Sequence, residues 1–220
     1  MMDWKGKKVL VLGDSITEGA AASAWANVYH QRLSEMLGFS ELIAYGKGGT
    51  RIARQKTPSE NPLYDHDFNE RADAMDPVAD LVIAFGGTND FGHGDAPMGK
   101  PGDNTVYTFF GACRCLYKKL AARYGKEKIL ILTPLHRLKE ESAFGDGCKV
   151  VPGEPMYRYV EAIKKTAGDM GLKTLDLWAD DDLNMFVGDH AKYFSPDGLH
   201  PNDEGHRLLA EKIAEYLLRL

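Results

Sequence analysis

The chain has 220 residues, which suits one α/β domain better than two, and we predict a single domain over residues 1–220. Apolar residues make up 44% and charged residues 27% of the chain, which is ordinary for a soluble globular protein. The net charge of -5 gives no electrostatic reason to expect nucleic acid or an anionic membrane as a partner. No stretch approaches the roughly 20 apolar residues that span a bilayer, so we expect a cytoplasmic protein.

In chain order, short apolar runs alternate with amphipathic segments. The runs predict five strands, at residues 7–13, 41–46, 80–87, 128–134 and 173–178. Apolar residues at helical spacing predict helices at 23–37, 65–75, 105–125, 154–171 and 202–220. Such alternation indicates βαβ units with right-handed crossovers, and therefore a parallel sheet covered on both faces. We predict the doubly wound strand order 2-1-3-4-5.

Three of the predicted connections are long, and all of them leave the carboxyl ends of strands. They cover residues 47–64, 135–153 and 179–201. Long connections in a compact domain are usually functional or disordered, and open parallel sheets bind ligands at this edge. The third connection carries four acidic residues and a histidine that could suggest a metal site, but we interpret them as part of a solvated loop. These residues are Asp180, Asp181, Asp182, Asp189 and His190.

Three neighbouring strands of the predicted sheet end in small and polar residues. Strand 1 ends in "GDS" with Ser15, strand 2 continues into "YGKGGTRIA", and strand 3 ends in "GGTND" with Asn89. A serine directly after a strand can be a nucleophile, a phosphate-binding hydroxyl or only a helix cap. Asp14 beside it is interpreted as a local hydrogen-bond anchor. His93 follows Asn89 by four residues, and nothing in the sequence places it in the site.

A serine nucleophile needs a base, and the stretch "SPDGLHPN" supplies one just before the last helix. Asp197 precedes His200 by three residues, so in a tight loop its carboxylate can meet one imidazole nitrogen while the other faces Ser15. Negative charge that develops on an ester oxygen would then meet three donors. We assign these to the Ser15 N–H, the Gly49 N–H and the Asn89 side-chain amide.

Together these stretches resemble the SGNH hydrolases, also called the GDSL esterase/lipase family. The resemblance rests on four blocks in order along the chain: "GDSIT", "GKGGTRIA", "GGTND" and "DGLHPN". It implies a flavodoxin-like three-layer α/β/α sandwich and ester hydrolysis through an acyl-enzyme, with no metal and no cofactor. Ala44 stands where the glycine block of the family often begins with Asn. Matching from that position puts the oxyanion donor at Gly49, whereas a slip of one residue would put it at Gly48.

We therefore predict a serine esterase with Ser15, His200 and Asp197 as its catalytic triad. Its predicted substrates are small acyl esters, above all acetyl esters, including acetylated carbohydrates. Aromatic residues of the long connections are candidates for stacking on a sugar ring or for the core: Tyr64, Phe144, Trp178 and Phe194. The alternatives are an acyltransferase, a lysophospholipase or a thioesterase with the same site, and a non-enzymatic flavodoxin-like binder of a phosphate or cofactor. The oligomeric state stays open.

Overall fold

A computed structural model describes residues 3–220 of the chain. Its sheet has five parallel strands in the order β2-β1-β3-β4-β5, as predicted. The strands are β1 Lys8–Gly13, β2 Glu41–Gly46, β3 Leu81–Phe85, β4 Ile129–Leu132 and β5 Lys173–Leu175. In the register, Gly13 of β1 lies opposite Gly46 of β2 and Phe85 of β3. The three strands that lead to the predicted site residues therefore end at the same level.

Within residues 3–220, seven α-helices and several short 3-10 turns lie between and after the strands. The helices are α1 Ser15–Glu18, α2 Tyr29–Leu37, α3 Phe68–Arg71, α4 Thr88–His93, α5 Phe109–Tyr124, α6 Met156–Asp169 and α7 Asp203–Leu218. The 3-10 turns are Trp25–Asn27, Pro62–Asp65, Ala72–Ala74, Lys126–Lys128, Asp181–Leu183 and His190–Tyr193. None of the helices within residues 3–220 has the length and apolarity needed to cross a membrane.

The helices pack on both faces of the sheet, which gives the predicted three layers. Successive strand residues point to opposite faces, so Leu10 and Leu12 enter one core while Val9 and Val11 enter the other. Helices α3, α5 and α6 cover the first core, and α2 and α7 cover the second. Because α2 and α7 share a face, the loops that precede them lie side by side. This places the start of the chain next to its last helix.

The helix predicted over 23–37 is shorter in the structure and begins only at Tyr29. Val28 is extended, with ψ of 140°. The reason is a contact with the distant α7, because the backbone N–H of Ser23 and the side chain of Asn27 both donate to the Asp203 carboxylate. The predicted fifth strand also ends early, at Leu175. Tertiary hydrogen bonds outcompete local helix or strand pairing at both places.

Candidate active site

Ser15 lies on the sharp turn between β1 and α1, where it is the first helical residue. Asp14 precedes it as the helix cap, and its Oδ1 accepts a hydrogen bond from the Ile16 N–H over 3.1 Å. Burial raises the pKa of Asp14 to about 6. The interpretation of Asp14 as a hydrogen-bond anchor agrees with this contact. The Ser15 side chain is left half-buried at the edge of the sheet.

A buried polar network beneath α1 holds this turn in place. The hydroxyls of Thr17 and Tyr29 lie 2.8 Å apart, and Nε2 of His30 lies 2.9 Å from the Thr17 carbonyl oxygen, to which it donates. Gly13 is required at the end of β1, since a Cβ there would lie 1.9 Å from Thr17 Oγ1. The turn that carries Ser15 is therefore packed from below by α2 and leaves its upper side open.

The structure brings Ser15, His200 and Asp197 into one hydrogen-bonded chain. Ser15 Oγ lies 2.8 Å from His200 Nε2, and His200 Nδ1 lies 2.6 Å from Asp197 Oδ2. Ser15 and His200 are 185 residues apart in sequence. The chain has the order of groups that a serine nucleophile, a general base and an orienting carboxylate require.

Asp197 is held by its own loop as well as by His200. Its Oδ1 accepts hydrogen bonds from the Ser195 hydroxyl at 2.6 Å, the Leu199 N–H at 2.9 Å and the His200 N–H at 3.0 Å. Partial burial acts to raise the pKa of Asp197, but these bonds and the one to His200 hold it well below its usual range. The carboxylate therefore stays charged in mildly acidic solution. It presents a fixed acceptor to the imidazole ring.

Residues 47–50, the glycine segment after β2, lie beside Ser15. The N–H groups of its two candidate glycines, Gly48 and Gly49, differ in their hydrogen bonding. The Gly48 N–H donates to Glu18 Oε2 over 2.7 Å, whereas the Gly49 N–H has no hydrogen-bond partner within residues 3–220. Gly49 has φ of 72°, and a Cβ on it would lie 2.2 Å from the Tyr64 ring. Both features require glycine at this position. The N–H that is left for a ligand is therefore that of Gly49.

Partly buried Arg71 links this segment to the sheet edge. Its guanidinium donates to the carbonyls of Tyr45 at 2.7 Å and Gly13 at 2.9 Å, and to the Thr50 hydroxyl at 2.8 Å. Burial lowers the pKa of Arg71 to about 10, which leaves it charged at neutral pH. Arg71 thus links the ends of β1 and β2 with the glycine segment. Neither the position nor the residue type of Arg71 indicates this role in the sequence.

Asn89 and Asp90 open α4 directly after β3, and both are buried. Asn89 Nδ2 donates to the Thr50 carbonyl over 2.9 Å, which leaves its second amide hydrogen free. The Asp90 carboxylate accepts from the N–H groups of Ile52 and Ala53, each at 2.9 Å. Burial, opposed by these bonds, raises the pKa of Asp90 to about 7. The pair clamps the loop after β2 against the end of β3.

A pocket of about 470 Å³ opens above Ser15. Its lining combines polar and charged side chains with a larger share of apolar surface and draws on six separate parts of the chain. The lining residues are Ser15, Glu18, Ala20, Lys47, Gly48, Gly49, Asn61, Leu63, Tyr64, Asn89, His93, Asp146, Leu199 and His200. All of the predicted triad and oxyanion residues lie in this set except Asp197, which stands behind His200.

The four aromatic candidates for ligand stacking have different surroundings in the structure. Tyr64 lines the pocket, whereas Phe194 is buried in the core. Trp178 stacks on His136 with ring centres 3.7 Å apart, and Phe144 is exposed without lining the pocket. Only Tyr64 is therefore placed to contact a ligand beside Ser15.

Two of the acidic residues of the third long connection form ion pairs with α7. Lys212 contacts the carboxylates of Asp180 at 3.1 Å and Asp182 at 2.5 Å. Across residues 3–220, no group of three or more His, Cys, Asp or Glu side chains is arranged to hold a metal ion. The ion pairs with Lys212 give these aspartates a structural explanation.

A model of the GDSL-like lipase/acylhydrolase family matches residues 11–208, from the end of β1 into α7. The chain belongs to this family. It is 27% identical to the GDSL lipase Rv0518 of Mycobacterium tuberculosis, over 97% of this chain and 82% of the relative. This GDSL-family protein is accordingly a carboxylic ester hydrolase, and the non-enzymatic alternative falls away.

Solved structures share the fold of this GDSL-family hydrolase over nearly its whole length. A protein from Lactobacillus plantarum is 29% identical with a TM-score of 0.81, over 98% of both chains. A carbohydrate acetylesterase family member from Sinorhizobium meliloti is 18% identical with a TM-score of 0.61, over 97% of this chain and 98% of the other. The second likeness concerns the fold alone. The SGNH-type α/β/α sandwich predicted from the four sequence blocks is confirmed.

Proposed function

We propose that this hydrolase is a serine esterase in which Ser15 is the nucleophile, His200 the general base and Asp197 the orienting carboxylate. The observation that carries the proposal is the pair of hydrogen bonds from Ser15 Oγ to His200 and from His200 to Asp197. Ser15 and His200 line the pocket, and Asp197 stands behind His200. A serine hydroxyl becomes an effective nucleophile when a neighbouring base accepts its proton. Nε2 of His200 is within reach to do so, since 2.8 Å is a normal hydrogen-bond distance.

In the first half of the reaction, Ser15 Oγ attacks the acyl carbon while its proton passes to His200 Nε2. The carbonyl oxygen becomes an oxyanion, which the N–H groups of Ser15 and Gly49 and the free amide hydrogen of Asn89 stabilise. Support for this trio comes from the bonding of its members. Within residues 3–220, the N–H groups of Ser15 and Gly49 have no hydrogen-bond partner. Asn89 donates only one of its two amide hydrogens, to the Thr50 carbonyl.

His200 next gives its proton to the leaving alcohol oxygen, and the bond between the acyl carbon and that oxygen breaks. An acyl-Ser15 ester remains. Water then attacks the same carbon while His200 accepts a proton from it, and the collapse of the second oxyanion returns the proton to Ser15. Asp197 stabilises the imidazolium that forms in each half, because its carboxylate stays charged 2.6 Å from Nδ1.

We propose acetyl and other short acyl esters of carbohydrates as the substrate class. The pocket of about 470 Å³ has the polar side chains of Asn61, Lys47 and Asp146 in its lining, and the ring of Tyr64 also lines it. Hydroxyl groups on the alcohol part would find partners there, whereas a long alkyl chain would desolvate charged groups. The name of the Sinorhizobium meliloti neighbour makes acetylated carbohydrates the first class to test.

The test is hydrolysis of p-nitrophenyl esters from acetyl to palmitoyl by wild type, Ser15→Ala and His200→Ala. We expect the acetyl ester to be cleaved fastest and both variants to lose activity. Ser40→Ala is a matched control, since Ser40 is exposed and precedes β2 at the opposite edge of the sheet. A fluorophosphonate that labels activated serines should react with wild type and Ser40→Ala only. Full activity or labelling in Ser15→Ala would overturn the proposal.

A further inference from the structure

Arg51 is a fully buried cation beside the pocket, with 2% of its side chain exposed. Its NH2 nitrogen donates to Asp65 Oδ1 at 2.7 Å, to the Ser59 hydroxyl at 2.9 Å and to the Tyr64 carbonyl at 3.0 Å. Its NH1 nitrogen lies 2.9 Å from Nδ1 of His93. A buried guanidinium with this many partners is held in one position, and it fixes whatever it contacts.

The contact with Arg51 decides which nitrogen of His93 carries a hydrogen. A guanidinium only donates hydrogen bonds, so Nδ1 of His93 must be the acceptor and must be unprotonated. The hydrogen of the neutral ring is therefore on Nε2. Burial and the Arg51 charge lower the pKa of His93 to about 4, with Arg137 and Lys149 acting in the same direction and Asp146 against them.

The Nε2–H of His93 has no hydrogen-bond partner among residues 3–220. Nε2 is not among the fully buried polar atoms that lack a partner, and His93 lines the pocket. The ring lines the pocket, against Tyr64 at a centroid distance of 5.7 Å. His93 also follows Asn89 by one turn of α4, a rise of about 6 Å. A fixed, neutral hydrogen-bond donor therefore stands one helical turn from the proposed oxyanion donor.

We propose that His93 is a specificity-determining residue whose Nε2–H binds a hydroxyl or ring oxygen in the alcohol part of a carbohydrate ester. The inference rests on the proposed esterase function and adds the group that recognises the alcohol. A neutral donor whose tautomer is locked can bind a hydroxyl or ether oxygen without any change in its protonation. An alcohol part without such an oxygen leaves the donor desolvated and unpaired, which disfavours its binding.

The test compares two acetate esters that share one shape. Methyl 6-O-acetylglucoside and cyclohexylmethyl acetate both carry an acetoxymethyl group on a six-membered ring, but only the first has ring and hydroxyl oxygens. We expect wild type to have the higher kcat/KM for the sugar ester. His93→Phe should lower the ratio of the two kcat/KM values at least about 10-fold, the effect of one lost hydrogen bond in a desolvated site.

Three controls separate recognition from folding. His93→Gln keeps a side-chain N–H donor and should restore part of the ratio. His66→Phe makes the same change at an exposed histidine outside the pocket and should leave the ratio unchanged. Nitrogen NMR of wild type should show Nδ1 of His93 unprotonated and Nε2 protonated at neutral pH, a readout that needs no activity.

The inference is overturned if wild type prefers cyclohexylmethyl acetate, if His93→Phe leaves the ratio unchanged, or if NMR finds the proton of His93 on Nδ1. The proposed esterase function fails by a different result, which is retained activity in Ser15→Ala. An inactive Ser15→Ala together with an unchanged ratio in His93→Phe therefore rejects the role of His93 alone.

Discussion

The amide nitrogen of Asn89 donates a hydrogen bond to the backbone carbonyl of Thr50 over 2.9 Å. This bond joins the start of α4, after β3, to the glycine segment after β2, and it adds to the bonds that Asp90 accepts from Ile52 and Ala53. It also orients the amide so that its second hydrogen is free at the pocket beside Ser15. One side chain thus has both a structural bond and a donor available to a ligand.

Removing this side chain is expected to affect catalysis far more than folding. We predict that Asn89→Ala lowers kcat about 100- to 1,000-fold, as the loss of an oxyanion donor does elsewhere. The free energy of unfolding should fall by only about 1 kcal/mol for the lost bond to Thr50. Steady-state kinetics on p-nitrophenyl acetate and urea unfolding measure the two effects. Asn104→Ala, at an exposed position, is the control, and a near wild-type kcat in Asn89→Ala would contradict the assignment.

Asp197→Asn is expected to disable the base while preserving the loop. The Asn oxygen can still accept from the N–H groups of Leu199 and His200, which now bind Oδ1. The amide nitrogen would instead face Nδ1 of His200 and favour the wrong tautomer, so we predict a kcat lower by about 1,000- to 10,000-fold. Asp189→Asn, on the same long connection and exposed, should keep wild-type kcat. Equal activity of the two variants would remove Asp197 from the triad.

Exchanging the two glycines separately tests which of them is the oxyanion donor. Gly49→Ala places a Cβ against the Tyr64 ring at a φ of 72°, so it should lower stability by about 1–3 kcal/mol and lower kcat as well. Gly48→Ala meets the flexible end of Glu18 at 2.7 Å and the Cβ of Ser15 at an ordinary contact distance of 3.6 Å, so it should be milder in both respects. Kinetics and urea unfolding of both variants are the measurements. A larger loss of kcat in Gly48→Ala would reverse the assignment.

Buried histidines should make the fold sensitive to acid. Burial lowers the pKa of His30 and of His206 to about 4. In the unfolded chain each ring binds a proton below its ordinary pKa of 6.5, whereas in the folded protein it stays neutral to about pH 4. The unfolded state therefore binds more protons in this window, and stability falls as the pH falls from 6.5 towards 4.

The contribution of one histidine can be isolated from the slope of stability against pH. Urea unfolding between pH 5 and 6 should give a slope that is smaller by about 1.4 kcal/mol per pH unit in His30→Asn than in wild type. The slope is the readout because the substitution also removes the bond to the Thr17 carbonyl at every pH. His66→Asn, at an exposed position, should leave the slope unchanged. An unaltered slope in His30→Asn would show that His30 is already protonated in the folded protein.

The order of the strands could be predicted because it follows from local patterns. Apolar runs alternate with helical spacing along the chain, and right-handed crossovers then leave few ways to arrange a parallel sheet. Element ends were predicted less well. The helix predicted from residue 23 begins at Tyr29 in the structure, because Asp203, far along the chain, binds Ser23 and Asn27. Contacts of that kind leave no periodic signal in the sequence.

In the candidate site, too, some residues could be selected from the sequence and others only from the structure. Ser15, Asn89 and the Asp197–His200 pair each stand at the end of a predicted element, so their types and positions were sufficient to select them. Arg51 belongs to the same block as Gly49 but carries no local signal of its role. Its importance depends on burial and on the contact with His93, 42 residues away.

By itself, the sequence determined the family of this protein and which reactive groups could meet in its site. A hydroxyl, an imidazole, a carboxylate and an amide follow predictable elements, and sheet topology alone sends those ends to one edge. The tertiary structure decided what surrounds them. Only the folded chain engages the Gly48 N–H with Glu18, leaves that of Gly49 open, and locks the His93 tautomer with a buried guanidinium. The physical reason is that hydrogen-bond partners and desolvation depend on distances between residues that are remote in sequence.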